Sequence, residues 1–107
     1  MPHFMIQGSY SQQGVKGLLK DGGSARVQAV EELARSFGAR VELFYFAFGG
    51  DDFVIILEGP DAVGQAAAML LVGATGAVAN LRTTVLLTPD EVDEATRRTG
   101  TYRPPGA

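Results

Sequence analysis

Arg40–Asp61 reads RVELFYFAFGGDDFVIILEGPD, and this stretch decides the fold. Val41–Phe48 and Phe53–Leu57 are rich in aromatic and β-branched residues, which suit a pleated surface. Between them stand Gly49, Gly50, Asp51 and Asp52. Glycine takes up the positive φ of tight hairpin turns freely, and aspartate tolerates it better than most residues. The stretch is expected to form a β-hairpin that turns at Gly49-Gly50 or Gly50-Asp51, with positive φ at one of the glycines at least. Either turn sets even residues of the first strand beside odd residues of the second. One face then carries Phe44, Phe46, Phe48, Phe53, Ile55 and Leu57. The other carries Val41, Leu43, Tyr45, Val54 and Ile56, with Asp52 near its end. Both faces are apolar, whereas a sheet with one wet side alternates apolar and polar residues. The chain's own helices are expected to cover one face. The other face calls for a second cover, so homo-oligomerisation is expected, first as a dimer and next as a trimer or hexamer.

Working outward, His3–Tyr10 reads as a strand with Phe4, Ile6 and Tyr10 on one face. Ser11 is a plausible N-cap for a helix over Ser11–Lys20, which Asp21-Gly22-Gly23 breaks. A second helix is expected from a Ser24 cap to Phe37, with Val30, Leu33, Ala34 and Phe37 as its apolar stripe and Gly38 just past its end. On the other side of the hairpin, Gly59-Pro60 breaks the pattern and Asp61 caps a helix from Ala62 to about Val72. That helix is apolar nearly all round, so burial on more than one side is expected, with a partner contact as the alternative. Asn80–Leu87 is the fourth strand, with Leu81, Thr83, Val85 and Leu87 on one face. Thr88-Pro89-Asp90-Glu91 has a Thr N-cap, Pro at the first helical position and Glu at the third, a capping box that opens a short helix to about Arg98. The order β-α-β-β-α-β is the α+β, ferredoxin-like pattern: a four-stranded antiparallel sheet of order 4-1-3-2, helices on one face, and a short C-terminal helix. Residues 1–98 are read as one domain and 99–107 as a flexible C-terminal tail.

The chain has 107 residues, enough for a single core. Nine Lys and Arg against twelve Asp and Glu give a net charge of −3, which argues against a nucleic-acid partner. No cysteine is present, so there is no disulfide framework and no thiolate chemistry. The N-terminus MPHFMIQGSY lacks the features of a signal peptide, and no apolar run reaches membrane-spanning length. A soluble cytoplasmic protein is the expectation, with no membrane partner.

Phe44-Tyr45, Gly49, Asp52, FVIILE and Gly59-Pro60-Asp61 resemble the core of the GYD domain family. Tyr10-Ser11-Gln12-Gln13-Gly14, Ser24-Ala25-Arg26 and Gly38 match as well, so the resemblance runs to about Val92. The family's turn reads Gly, any residue, Tyr, Asp; here Gly49 and Asp52 match and Asp51 stands at the Tyr position. The family is similar to the dimeric α/β-barrel group, which includes haem-handling monooxygenases, small isomerases and ligand-binding regulatory domains. That spread means that the fold alone does not fix function.

In this topology one end of the sheet gathers Tyr10, Ser11–Lys16, the Gly49–Asp52 turn, Asn80 and Arg82. The glycine-containing segment 11–23 is placed to lid that end. Ligand-binding candidates are Tyr10, Lys16, Arg26, Tyr45, Asp52 and Arg82. Asp52 reads either as a base or ligand anchor near Lys16, Arg26 or Tyr45, or, more simply, as a cap on backbone N–H groups. Asp51 and Asp52 point to opposite faces and do not make a metal pair, so no metal is expected. His3, the only histidine, stands at the far end and is read as solvated. No phosphate-binding or triad motif is present, and the sequence names no cofactor. Three readings follow: a homo-oligomeric small-ligand-binding or regulatory domain; a cofactor-poor enzyme, monooxygenase or isomerase, using Asp52, Tyr45 and Arg26; and a structural assembly module. The scarcity of titratable residues on the inner faces favours the first.

Overall fold

The computed structural model of the protein describes residues 1–106. The elements run β1 (His3–Tyr10), α1 (Gln12–Asp21), α2 (Gly23–Ser36), β2 (Arg40–Phe46), β3 (Phe53–Glu58), α3 (Ala62–Ala74), β4 (Val78–Leu86) and α4 (Pro89–Arg97). The strands form one antiparallel sheet of order β2-β3-β1-β4, the α+β ferredoxin-like arrangement. Phe4, Ile6, Phe53, Ile55 and Leu57 are buried on one face, and α2 and α3 lie over them with Val30 and Met69 packed on this core. Their alternation along β1 and β3 follows from the period of two in a strand.

Local signals explain most helix starts. Ser11 accepts from the Gly14 N–H, Asp61 from the Gly64 N–H, and Thr88 and Glu91 close a reciprocal capping box. Gly38, at φ 72°, follows α2 as the C′ residue. Ser24, by contrast, does not cap α2. The helix begins one residue earlier and Gly22 is its N-cap, with no side-chain hydrogen bond. The positive φ of Gly22, 82°, ends α1 and opens α2 at one residue, leaving no room for Ser24 outside the helix.

The hairpin keeps the expected parity, with Phe46 opposite Phe53 and Phe44 opposite Ile55. Its turn is wider than a two-residue loop. Pairing closes with the Ala47 N–H donating to the Asp52 carbonyl, and neither Gly49 nor Gly50 has positive φ. Spread over more residues, the reversal needs no left-handed residue at its tip. Phe48 consequently leaves the core face and is 97% exposed. A bulge between Val41 and Leu43 makes Glu42 the extra residue and returns Val41 to the core side, where alternation alone had set it outside.

Segment 11–23 is not a loose lid. It is the helix α1, fixed at its start by the Ser11 N–H donating to the Ala77 carbonyl (2.9 Å) and the Ser11 hydroxyl donating to the Gly76 carbonyl (2.6 Å). Gly14 lets this contact form, because a Cβ there would stand 2.1 Å from the Ala77 carbonyl oxygen. At the other end of the chain, α4 buries no residue. The molecule is elongated, 56 × 33 × 23 Å with a radius of gyration of 16.9 Å.

Candidate functional site

Two acids organise the end of the sheet that carries the Ala47–Asp52 loop. Asp52 ties β3 to β1: its N–H donates to the Gly8 carbonyl (2.8 Å) and its carboxylate accepts from the Tyr10 N–H (2.9 Å). Asp51 points the other way, as adjacent strand-end residues do. Its two oxygens take both terminal nitrogens of Arg82, at 3.1 and 2.7 Å, and the Gln7 amide lies at 3.5 Å. The guanidinium holds the Asp51 carboxyl below its ordinary range, mainly by hydrogen bonding, and the pair raises Arg82 in return.

The six candidate residues separate accordingly. Tyr10 and Arg26 come together on the inner face, where both line a cavity between α2, α3 and the sheet. Burial pushes the Tyr10 phenol up, the Arg26 charge partly opposes this, and the Asp52 charge adds to it. The Tyr10 ring packs on Phe53, centroids 5.2 Å apart. Tyr45 stands on the opposite face, 66% exposed, so it does not join Arg26. Lys16 is exposed on α1, and Arg82 is engaged by Asp51. The set Asp52, Tyr45 and Arg26 is thus split across the sheet.

The cavity has a volume of about 160 Å³. Val30 and Leu33 of α2, Ala68 and Val72 of α3, and Phe53 and Ile55 of the sheet form most of its wall. Beyond Tyr10 and Arg26, its polar side chains are used nearby: Asp61 caps α3, and the Gln65 amide donates to the Thr83 hydroxyl at 3.4 Å.

Two apolar surfaces remain uncovered. On α3, Val63 and Leu70 are 78% and 75% exposed and lie seven residues apart on one outward stripe. A shallow groove beside them runs between α3 and the edge strand β4, with Met69 and Leu81 at its base and Val85, 62% exposed, at its rim. The expected burial of α3 on more than one side is therefore corrected: Gln65 and Ala68 are buried, and the opposite side is open. The second surface is the outer sheet face, where Met5, Leu43, Val54 and Ile56 are partly exposed around Tyr45.

At its far end that face carries His3, whose ring meets Glu42, and Glu58, which accepts from Arg40 at 3.2 Å. Potential ligand atoms of His3, Glu42 and Glu58 lie within 4.8 Å of one another. His3 is half-buried and paired rather than solvated. The bulge brings Glu42 to it, and no sequence pattern announces that bulge.

The family model for the GYD domain matches residues 4–96. The chain belongs to the GYD domain family. This GYD domain is also 37% identical over 79 residues to the glutamine synthetase and cystathionine beta-lyase binding protein of Thermus thermophilus, covering 73% of this chain and 81% of that relative. No solved structure matches it. Within the GYD domain the motif aspartate, Asp52, is the residue that joins β3 to β1, and Asp51 at the motif's Tyr position anchors Arg82. No helix among the described residues is long and apolar enough to cross a membrane.

Proposed function

We propose that this GYD domain is a protein-binding module whose contact surface is the apolar strip formed by α3 and the edge strand β4. The outward stripe of α3 carries the reading. Val63, Leu70, Leu71 and Val85 are each more than half exposed, Leu70 and Val85 line the groove between α3 and β4, and exposed apolar surface of this kind is characteristic of protein contacts. An open strand edge beside an apolar groove offers both backbone hydrogen bonds and side-chain pockets to a partner. The name of the Thermus thermophilus relative, a binding protein for two enzymes, supports the same class of function.

The test uses glutamine synthetase and cystathionine β-lyase purified from the same organism as this chain. Each is immobilised and exposed to the parent and to Val63→Asp and Leu70→Asp. The parent should bind at least one enzyme, and both variants should lose that binding while melting as the parent does. Variants that bind like the parent, or a parent that binds neither enzyme, overturn the reading.

A separate observation favours self-association through the outer sheet face. Its centre is apolar, and its ends are charged, with His3, Glu42 and Arg40 at one end and Asp51 and Arg82 at the other. An apolar core within a polar rim is the usual anatomy of an interface. The dimer is the favoured assembly. Light scattering should give twice the chain mass, with Ile56→Lys reducing it to one; a parent that is monomeric at tens of micromolar sinks this second reading.

A further inference from the structure

We infer that the cavity between α2 and α3 is a binding site for a small carboxylate whose apolar part is about one aromatic ring in size, with Arg26 and the Tyr10 hydroxyl receiving the carboxylate. Four observations carry this. First, α2 and α3 both rest on the sheet, yet a cavity of about 160 Å³ lies between them. Protein interiors are close-packed, and voids larger than a water molecule are few. A gap this large at the centre of so small a domain is space for an occupant. Second, the wall is aliphatic and aromatic, and an apolar cavity of about 150 Å³ stays dry and accepts benzene. That comparison sets the size of the apolar part.

Third, Arg26 and Tyr10 both line the cavity. Among the described residues the Arg26 side chain makes no hydrogen bond and no ion pair, although the residue is only partly exposed and lines the cavity. A guanidinium held at the edge of an apolar cavity without a carboxylate is incompletely satisfied, and a carboxylate ligand is the partner that its forked donors fit. Fourth, the first turn of α2, in which Arg26 lies, has neither an acidic residue nor a side-chain cap to pair with it. The nearest acid to Tyr10, Asp52, is committed to the Tyr10 N–H. The phenol, raised by burial, is protonated at neutral pH and available as a donor.

The experiment follows the methyl signals of Val30, Ala68 and Val72 by NMR while phenylacetate is added, and repeats the titration with phenylacetamide, which keeps the ring and lacks the charge. Phenylacetate should shift these signals to saturation, and the amide should bind more weakly. Arg26→Gln should weaken phenylacetate by about tenfold or more and leave the amide unchanged, since a hydrogen bond to a charged group contributes on that scale. Ala68→Leu, which fills the cavity, should abolish binding of both without lowering the melting temperature. If that variant does not fold, the Arg26→Gln comparison stands alone. No saturable shift with phenylacetate, equal binding of acid and amide to the parent, or undiminished phenylacetate binding by Arg26→Gln each overturns the inference.

Discussion

Replacing Gly14 by alanine tests how α1 is attached. The new Cβ would stand 2.1 Å from the Ala77 carbonyl oxygen, 3.1 Å from its carbon and 3.1 Å from Tyr10 Cδ1. An ordinary carbon–oxygen approach is about 3.3 Å or more, so α1 and the α3–β4 connection must separate by roughly 1 Å. The neighbour in the way is backbone, and the two hydrogen bonds from Ser11 to Ala77 and Gly76 are stretched by the same movement. Each contributes about 1 kcal/mol net, and overpacking costs about 1–3 kcal/mol. The helix gains up to about 1 kcal/mol from alanine over glycine. The balance is a loss of about 2 kcal/mol, or a melting temperature lower by about 10 °C for a domain of this size. Gly17, in the same helix, has nothing within 4 Å of its would-be Cβ. Gly17→Ala should therefore stabilise by about 0.5–1 kcal/mol. Thermal unfolding of the two variants by circular dichroism gives opposite signs for one chemical change. A Gly14→Ala protein that melts with the parent or above it refutes the packing argument.

Asp52→Ala removes a charged acceptor from the Tyr10 N–H and should cost about 1.5–3 kcal/mol in urea unfolding, with Asp52→Asn costing less because it keeps an acceptor; equal costs would show that the carboxylate is not the acceptor. Asp51 has its folded pKa depressed by Arg82, so its contribution to stability is present above the ordinary aspartate value of about 3.9 and lost as pH falls through the lower folded value. Titration of the Asp51 carboxyl by NMR should give a midpoint below that value, and Arg82→Gln should move it up; an unmoved midpoint refutes the pairing. Gly49→Val and Gly50→Val should each stay within about 0.5 kcal/mol of the parent, since neither glycine has positive φ or a close neighbour, whereas Gly38→Val should lose about 1 kcal/mol or more. Denaturant midpoints of the three variants decide it.

The elements that were legible in the sequence are those set by local chemistry. Thr88 and Glu91 close a capping box within four residues of chain, and the alternation in β1 and β3 needs only the strand period. What was not legible depends on pairing. Glu42 meets His3 only because a bulge inserts it opposite β3, and nothing in RVELF marks which residue is extra. Asp51 finds Arg82 through the register of β4 on β1, which shifts between Gln7 and Ser9. Of the candidate site residues, Tyr10 and Arg26 meet on the inner face, and of the two only Tyr10 had been given a face, beside Phe4 and Ile6. Tyr45 was separable from them by parity alone, while Asp52, read more simply as a cap on backbone N–H groups, accepts one from Tyr10 on the neighbouring strand rather than within its own turn. The openness of α3 was beyond reach for another reason: hydropathy reports what a helix avoids, not whether anything stands there to cover it.

The elongated shape has a hydrodynamic consequence. A compact chain of this length would have a radius of gyration of about 13 Å. The value here is 16.9 Å, with a longest dimension of 56 Å. A single copy therefore tumbles more slowly and elutes earlier than a sphere of the same mass, in the direction that imitates a dimer.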